Sequence, residues 1–100
     1  MILGDVDKQP AETFIVGIDF KLRIGVGETL SAPAVTARDE TTGADTTGTV
    51  LPDAPTVSGS QVRVRVAAGV SGTSHIVQMR APTSAANTFE DELRLRINET

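Results

Sequence analysis

The sequence predicts an antiparallel β-sandwich of about seven short strands, and three observations predict it. In Gln61-Val62-Arg63-Val64-Arg65-Val66 and in Glu90-Asp91-Glu92-Leu93-Arg94-Leu95-Arg96-Ile97 the apolar residues fall on alternate positions, the period of a strand with one buried and one wet face. Clusters of Gly, Pro, Asp and Asn punctuate the chain at short intervals, and no helical period of useful length lies between them. With three Phe and no Trp or Tyr, the core must be built from Val, Ile, Leu and Ala, which pack well between sheets. One hundred residues without an internal repeat or linker suit one domain, which can bury roughly 60 to 70 % of the surface of its unfolded form.

Residues 1–10 close on Lys8-Gln9-Pro10 and are expected to form a flexible, extended N-terminal arm, because the residue before proline is pushed toward β or polyproline conformations. The sandwich then occupies residues 11–100. In its first strand, Glu12–Phe20, one parity is wholly apolar (Phe14, Val16, Ile18, Phe20), although Ile15 blurs the other. Lys21–Ile24 either continues that strand or forms a short helical turn, and Gly25-Val26-Gly27-Glu28 ends it. A second strand is expected over Leu30–Arg38, with Leu30, Ala32, Ala34 and Val35 apolar and Pro33 near its end. Asp39–Gly48 has the chemistry of an exposed loop. Thr49-Val50-Leu51 and Pro55–Ser58, fenced by Pro52, Pro55 and Gly59, read as short edge strands or extended loop.

Val62, Val64 and Val66 of the next strand point one way and Gln61, Arg63 and Arg65 the other. Ala68-Gly69-Val70-Ser71-Gly72 is then expected to carry the chain across to a second sheet, with two glycines permitting positive φ in a tight corner. If Val77, Met79 and Ala81 face inward, a hairpin pairing Ala81 with Phe89 also pairs Val77 with Leu93 and sets Arg80 opposite Glu90, a cross-strand charge pair of roughly 0.2 to 1 kcal/mol. The same register points Asp91 inward beside Met79. Either a bulge rotates that carboxylate out, or the register is off by one.

Nine Lys and Arg against thirteen Asp and Glu give a net charge of −4, which disfavours nucleic acid as a partner. The arginines Arg63, Arg65, Arg80, Arg94 and Arg96 share the polar parity of their strands, and no exposed aromatic alternates with them to stack bases. A protein surface is the expected partner. The N-terminus lacks the pattern of a secretory leader, and no segment approaches the roughly 18 apolar residues of a membrane span; a soluble chain with no membrane partner is expected. Without Cys, nothing argues for an oxidising compartment.

Catalytic, cofactor and metal residues are each expected to be none. His75 is the one histidine, and the alternation places it on a buried face; it reads as a neutral core or corner histidine bonded through a ring nitrogen rather than as a member of a nucleophilic site. Glu90 and Glu92 share a surface and read as partners of arginines, not as a glycosidase pair. Asp39, Glu40, Asp45 and Asp53 could gather calcium through oxygen ligands, but their spacing matches no dedicated calcium loop. Gly25-Val26-Gly27 lacks the third glycine and the helix of a nucleotide fingerprint. Asn98-Glu99-Thr100 matches a glycosylation sequon, yet no secretory route is apparent.

From Val66 onward the spacing resembles a family of small immunoglobulin-like proteins of tailed bacteriophages and prophages, described as fibre-tail adaptor or minor tail proteins. Gly69 and Gly72 hold two glycines of its corner, Val77 and Arg80 the valine and arginine of its next strand, and Glu90, Leu93, Leu95 and Ile97 its last strand. Lys8, Pro10 and Glu12 resemble its Lys-x-Pro-x-Glu opening, and Asp19-Phe20 and Gly27-Glu28-Thr29-Leu30 resemble its Asp-Phe and Gly-Asp-x-Ile segments. The family's corner aromatic is His75 here, and the tryptophan between its first two strands is Arg23, so that aliphatic packing is expected to replace one core anchor. The resemblance implies an immunoglobulin-like sandwich and a non-enzymatic structural protein of a phage or prophage tail. Its implied partners are other phage structural proteins of the tail, fibre or connector, with homo-oligomers also allowed, and its implied location is the virion, or the host cytoplasm before assembly. The arm Met1–Pro10, ordering on binding, and the loop Asp39–Gly48 are the expected contacts. A bacterial immunoglobulin-like adhesion module and a carbohydrate- or calcium-binding module are the alternatives.

Overall fold

Strict alternation at the heart of the chain builds two facing layers. A computed structural model describes residues 2–99 and contains β1 (Ile2–Lys8), β2 (Phe14–Asp19), β3 (Ala34–Asp39), α1 (Thr47–Val50), β4 (Thr56–Ser58), β5 (Gln61–Val66), β6 (Thr73–Pro82) and β7 (Thr88–Ile97). One sheet has the order β1-β7-β6-β3 and the other β2-β5-β4. Strands two, four and five thus oppose strands three, six and seven, the division found in an immunoglobulin-like sandwich. The first strand joins β7 rather than β2.

Val62, Val64 and Val66 of β5 are buried with Ile18 and Phe20 on one side of the core, facing Val35, Ala37, Val77, Met79, Ala81, Leu95 and Ile97 on the other. Pairing in β2–β5, β4–β5, β3–β6 and β6–β7 is antiparallel, as expected. The β6–β7 hairpin runs unbroken from Thr73 opposite Ile97 to Pro82 opposite Thr88, with Ala81 across from Phe89, Val77 from Leu93 and Arg80 from Glu90. That is the register the alternation predicts.

Three expectations need correction. Residues 2–8 are not a free arm: they form β1, which runs parallel to β7 with Val6 beside Leu95 and Lys8 beside Ile97, an exception to antiparallel pairing. Met1 lies outside the described residues. The second strand starts at Ala34, not Leu30, because Ala32 has φ +40 and Pro33 intervenes; its inward residues are Val35 and Ala37, while Ala34 is exposed. Thr49-Val50-Leu51 is neither strand nor extended loop. Thr47–Val50 is a helical turn whose Thr49, Val50 and Leu51 N–H groups bond back to the Thr46 and Thr47 carbonyls, and it drives Val50 and Leu51 into the core.

The corner after β5 crosses between sheets as expected, with Gly69 at φ +96 and Gly72 at φ +88. Gly69 is doubly constrained, because a β-carbon there would overlap the Ile97 side chain. Gly69→Ala is expected to cost about 2–4 kcal/mol, from positive-φ strain together with overpacking. Gly59→Ala, at φ +59 but with open space around it, should cost only about 1–2 kcal/mol. Urea unfolding of the two variants checks the difference.

Candidate functional site

The unbroken hairpin register forces Asp91 inward beside Met79. Neither a bulge nor a register slip relieves it; a cation arrives instead. After β2 the chain turns helically, with the Arg23 and Ile24 N–H groups donating to the Phe20 carbonyl. This turn carries the Arg23 guanidinium to 2.7 Å from Asp91 Oδ2. The same guanidinium lies 4.8 Å from the Phe89 ring centroid and 5.9 Å from that of Phe20, whose rings stack 6.4 Å apart. Aliphatic packing therefore does not replace the aromatic anchor at position 23. A cation does, lying against two aromatic rings and neutralising a carboxylate only 7 % exposed.

His75 is buried, as expected, and both ring nitrogens are engaged: Nδ1 is 3.0 Å from Thr46 Oγ1, and Nε2 is 3.1 Å from Thr73 Oγ1. Thr73 spends its hydroxyl proton on the Val70 carbonyl at 2.6 Å, so it can only accept from the ring. The network thereby assigns the proton to Nε2 and makes Thr46 the donor to Nδ1. Burial pushes the His75 pKa below its ordinary value against the weaker pull of Asp39. This neutral imidazole ties the loop before α1 to the sheet-crossing corner.

Lys8 plays a similar part that the sequence did not announce. It is 2 % exposed, and its ammonium donates to the carbonyls of Gln9 at 2.8 Å, Pro10 at 3.1 Å and Ala68 at 2.6 Å. Desolvation pulls its pKa down while Glu12 pushes it up. The opening Lys8-x-Pro10-x-Glu12 thus staples the end of β1 to the corner after β5. Glu28 does the same for the opposite end of the sandwich, accepting from Gly25 N–H, from Asn87 and, in a short bond, from Thr83; these bonds hold its carboxyl below the ordinary range.

Two outward faces remain. On the four-stranded sheet, Arg94 bridges Glu40 and Asp5 at 2.9 and 3.0 Å, Arg96 meets Asp7 at 2.9 Å, and Arg38 meets Glu92 at 3.2 Å. Ile76, cross-strand neighbour of Arg38 and Arg94, lies on this outer face and is only 3 % exposed, because arginine stems cover it. Arg80 stands opposite Glu90 as expected, but no ion pair closes between them. On the three-stranded sheet, Arg65 meets Asp53 at 3.0 Å. Arg63 bonds only the Gln61 side-chain carbonyl, at 2.8 Å, and lies near Ile15, which is 55 % exposed.

The acidic loop residues do not converge. Asp39 accepts the N–H groups of Thr41 and Thr42, Asp45 accepts that of Thr47, Glu40 holds Arg94 and Asp53 holds Arg65. Among the described residues no three acidic or histidine side chains form a metal-sized group. The loop Asp39–Gly48 is thus a hydrogen-bonded cap along the β3 edge. A family model described as podophage GP4 fiber-tail adaptor protein gp77 matches residues 8–96. No curated protein matches the chain.

Two outcomes follow from this geometry. Arg23→Ala leaves Asp91 buried without its cation and should cost about 1–3 kcal/mol, less than a fully buried pair because Arg23 is partly exposed. The double variant Arg23→Trp/Asp91→Leu should recover that loss; chemical denaturation of both variants beside the wild type reads the two outcomes. For His75, the folded pKa lies below the unfolded value, so the unfolded chain takes up the proton first. Stability is then full above the ordinary value of 6.5 and falls as pH drops through it. The wild type should lose stability between about pH 7.5 and about pH 5, and His75→Gln should be flat over that window, whereas the hydrogen-bonded carboxylates of Glu28, Asp39 and Asp45 act only lower, near about pH 4.

Proposed function

This chain belongs to the podophage fiber-tail adaptor family, and on that premise we propose that it is a non-enzymatic docking module joining other structural proteins of the virion, made in the host cytoplasm and then built into the tail. The observation that carries this reading is the match over residues 8–96, nearly the whole sandwich. A family that serves as a structural tail adaptor places the chain in the virion. The physical design supports the finer reading. Each polar residue drawn into the core, Lys8, His75, Thr83 and Asp91, is spent on holding loops and strand ends to the sandwich, which makes a stiff body with its chemistry turned to internal bonds. Stiffness is what a connector needs, since it passes position rather than reactivity from one partner to the next.

Nucleic acid and lipid are not the partners in this reading. The net charge is −4, and Arg38, Arg65, Arg94 and Arg96 are already neutralised by carboxylates of the same molecule, leaving few cations for phosphate. Among the described residues no helix is long and apolar enough to cross a membrane.

Mass spectrometry of purified particles should find the chain in stoichiometric amount, and particles assembled without it should carry tails that lack fibres. Particles that contain no copy of the chain, or that keep a full set of fibres without it, would overturn the assignment.

A further inference from the structure

We propose that the free edge of β2 accepts an extended segment of another virion protein, one in which acidic and apolar residues alternate, as an added antiparallel or parallel strand. The proposal rests on the adaptor reading and names the surface and the chemistry of its partner.

Four strands border the two sheets, and three of these edges are closed to a visitor. β1 breaks its register between Ile2 and Asp5 and turns Lys8 inward. The β3 edge is covered by Ala44–Thr47, with Asp39 N–H donating to the Ala44 carbonyl at 2.8 Å and Thr46 N–H to the Ala37 carbonyl at 2.9 Å. β4 has three residues behind Pro55. These are the devices by which edges avoid pairing. β2 has none of them: its six residues hold a continuous register with β5 and include no Pro, no Lys and no bulge.

The Phe20 N–H bonds the Ser60 carbonyl at 2.9 Å, which sets the parity of the ladder. Phe14, Val16 and Ile18 exchange bonds with β5, whereas the N–H and C=O groups of Ile15, Gly17 and Asp19 point to the open side. They form a row with the spacing a new strand requires. The Asp19 carboxylate accepts the Ser60 hydroxyl and the Lys21 N–H, bonds that hold it in its charged form, so an acidic visitor fits along Ile15 and Gly17, next to Arg63, and not at the Asp19 end. On the outer face beside this edge, spanning β2 and β5, lies a depression of about 430 Å³ lined by Ile15, Val16, Gly17, Asp19, Gln61 and Arg63. Ile15 offers exposed apolar surface, and among the described residues Arg63 meets no carboxylate, its guanidinium bonding the Gln61 side chain. Backbone bonds supply the affinity, carboxylates on the outer face reaching Arg63 the charge match, and apolar residues on the inner face, beside the half-buried Phe14 and Val16, the register.

The test is a nitrogen-15 NMR titration of the full chain with two synthetic peptides, Thr-Val-Glu-Val-Glu-Val-Thr and its counterpart with Lys in place of Glu. The acidic peptide should shift the Ile15, Gly17 and Asp19 amides, slow their hydrogen exchange, and bind about fivefold more tightly than the basic one. Arg63→Gln should erase that fivefold preference, and Ile15→Pro, which removes an outward N–H, should abolish binding while the β5 amides keep their shifts. If Ile15→Pro does not fold, the Arg63→Gln comparison decides alone. Shifts confined to other strands, no binding of the acidic peptide, equal binding of both peptides by the wild type, or edge protection that tracks protein concentration without peptide would each overturn the proposal. A failed titration leaves the particle result standing, and a chain missing from particles leaves the titration standing, so the two readings fail separately.

Discussion

The continuous pairing of β6 with β7 is the constraint from which the rest of the sandwich follows. Ten consecutive residues of each strand pair without a bulge, and a side-chain period of two then leaves no choice of face at any of them. Val77, Met79, Ala81, Leu95 and Ile97 go to the core; so does Asp91. A carboxylate at that depth without a counter-charge would be expensive, and the turn after β2 is shaped to supply one. Arg23 reaches it because Phe20 accepts two backbone hydrogen bonds and winds the chain by one helical turn. The hairpin thereby dictates the geometry of a connection more than sixty residues away in sequence.

Among the described residues the other buried polar side chains, Lys8, His75 and Thr83, sit near places where a strand hands over to a loop or a neighbouring layer. Lys8 closes the end of β1 on the corner at Ala68, His75 ties that corner to Thr46, and Thr83 joins the β6–β7 turn to Glu28. Among the described residues no buried side-chain nitrogen or oxygen is without a hydrogen bond. The aliphatic core, with few rings, interlocks weakly by shape alone, and directional bonds at its rim select one arrangement of the loops. Replacing these groups by hydrocarbon could preserve stability while loosening the connections that present the outer faces.

Alternation was enough to read the two sheets, because Val62, Val64, Val66, Leu93, Leu95 and Ile97 carry the period without ambiguity and the positions of Ala81 and Phe89 fix the hairpin. The corner was legible from Gly69 and Gly72. β1 was not, since Asp5, Asp7 and Lys8 read as a solvated arm until their partners are known, and the arginines that neutralise Asp5 and Asp7 lie 89 residues downstream. Lys8 contradicts the usual inward rule outright, a lysine beside Val6 on the path to the core. Arg23 and Asp91 each looked like a misfit; the signal lay in their being misfits of opposite charge, which only proximity in space converts into a pair. The helical turn at Thr47–Val50 was hidden because four β-branched or glycine residues have no helical propensity worth reading; tertiary burial of Val50 and Leu51 decides it.

The two outer faces differ in what they leave unspent. On the four-stranded sheet the arginines are nearly all committed to carboxylates of the same chain, and their stems seal Ile76 from water, so a visitor there would have to break existing pairs before making its own. Surface pairs of this kind contribute little to stability, but together they neutralise most of the arginine charge this face carries. The three-stranded sheet differs: among the described residues Arg63 meets no carboxylate, Ile15 is exposed, and the adjacent edge carries backbone groups that no strand pairs. An acidic molecule that met its neighbours through unpaired charge on every side would associate without discrimination. Neutralising most of one face internally while Arg63 stands beside an open edge on the other would confine recognition to one place, the property the proposed docking role calls for.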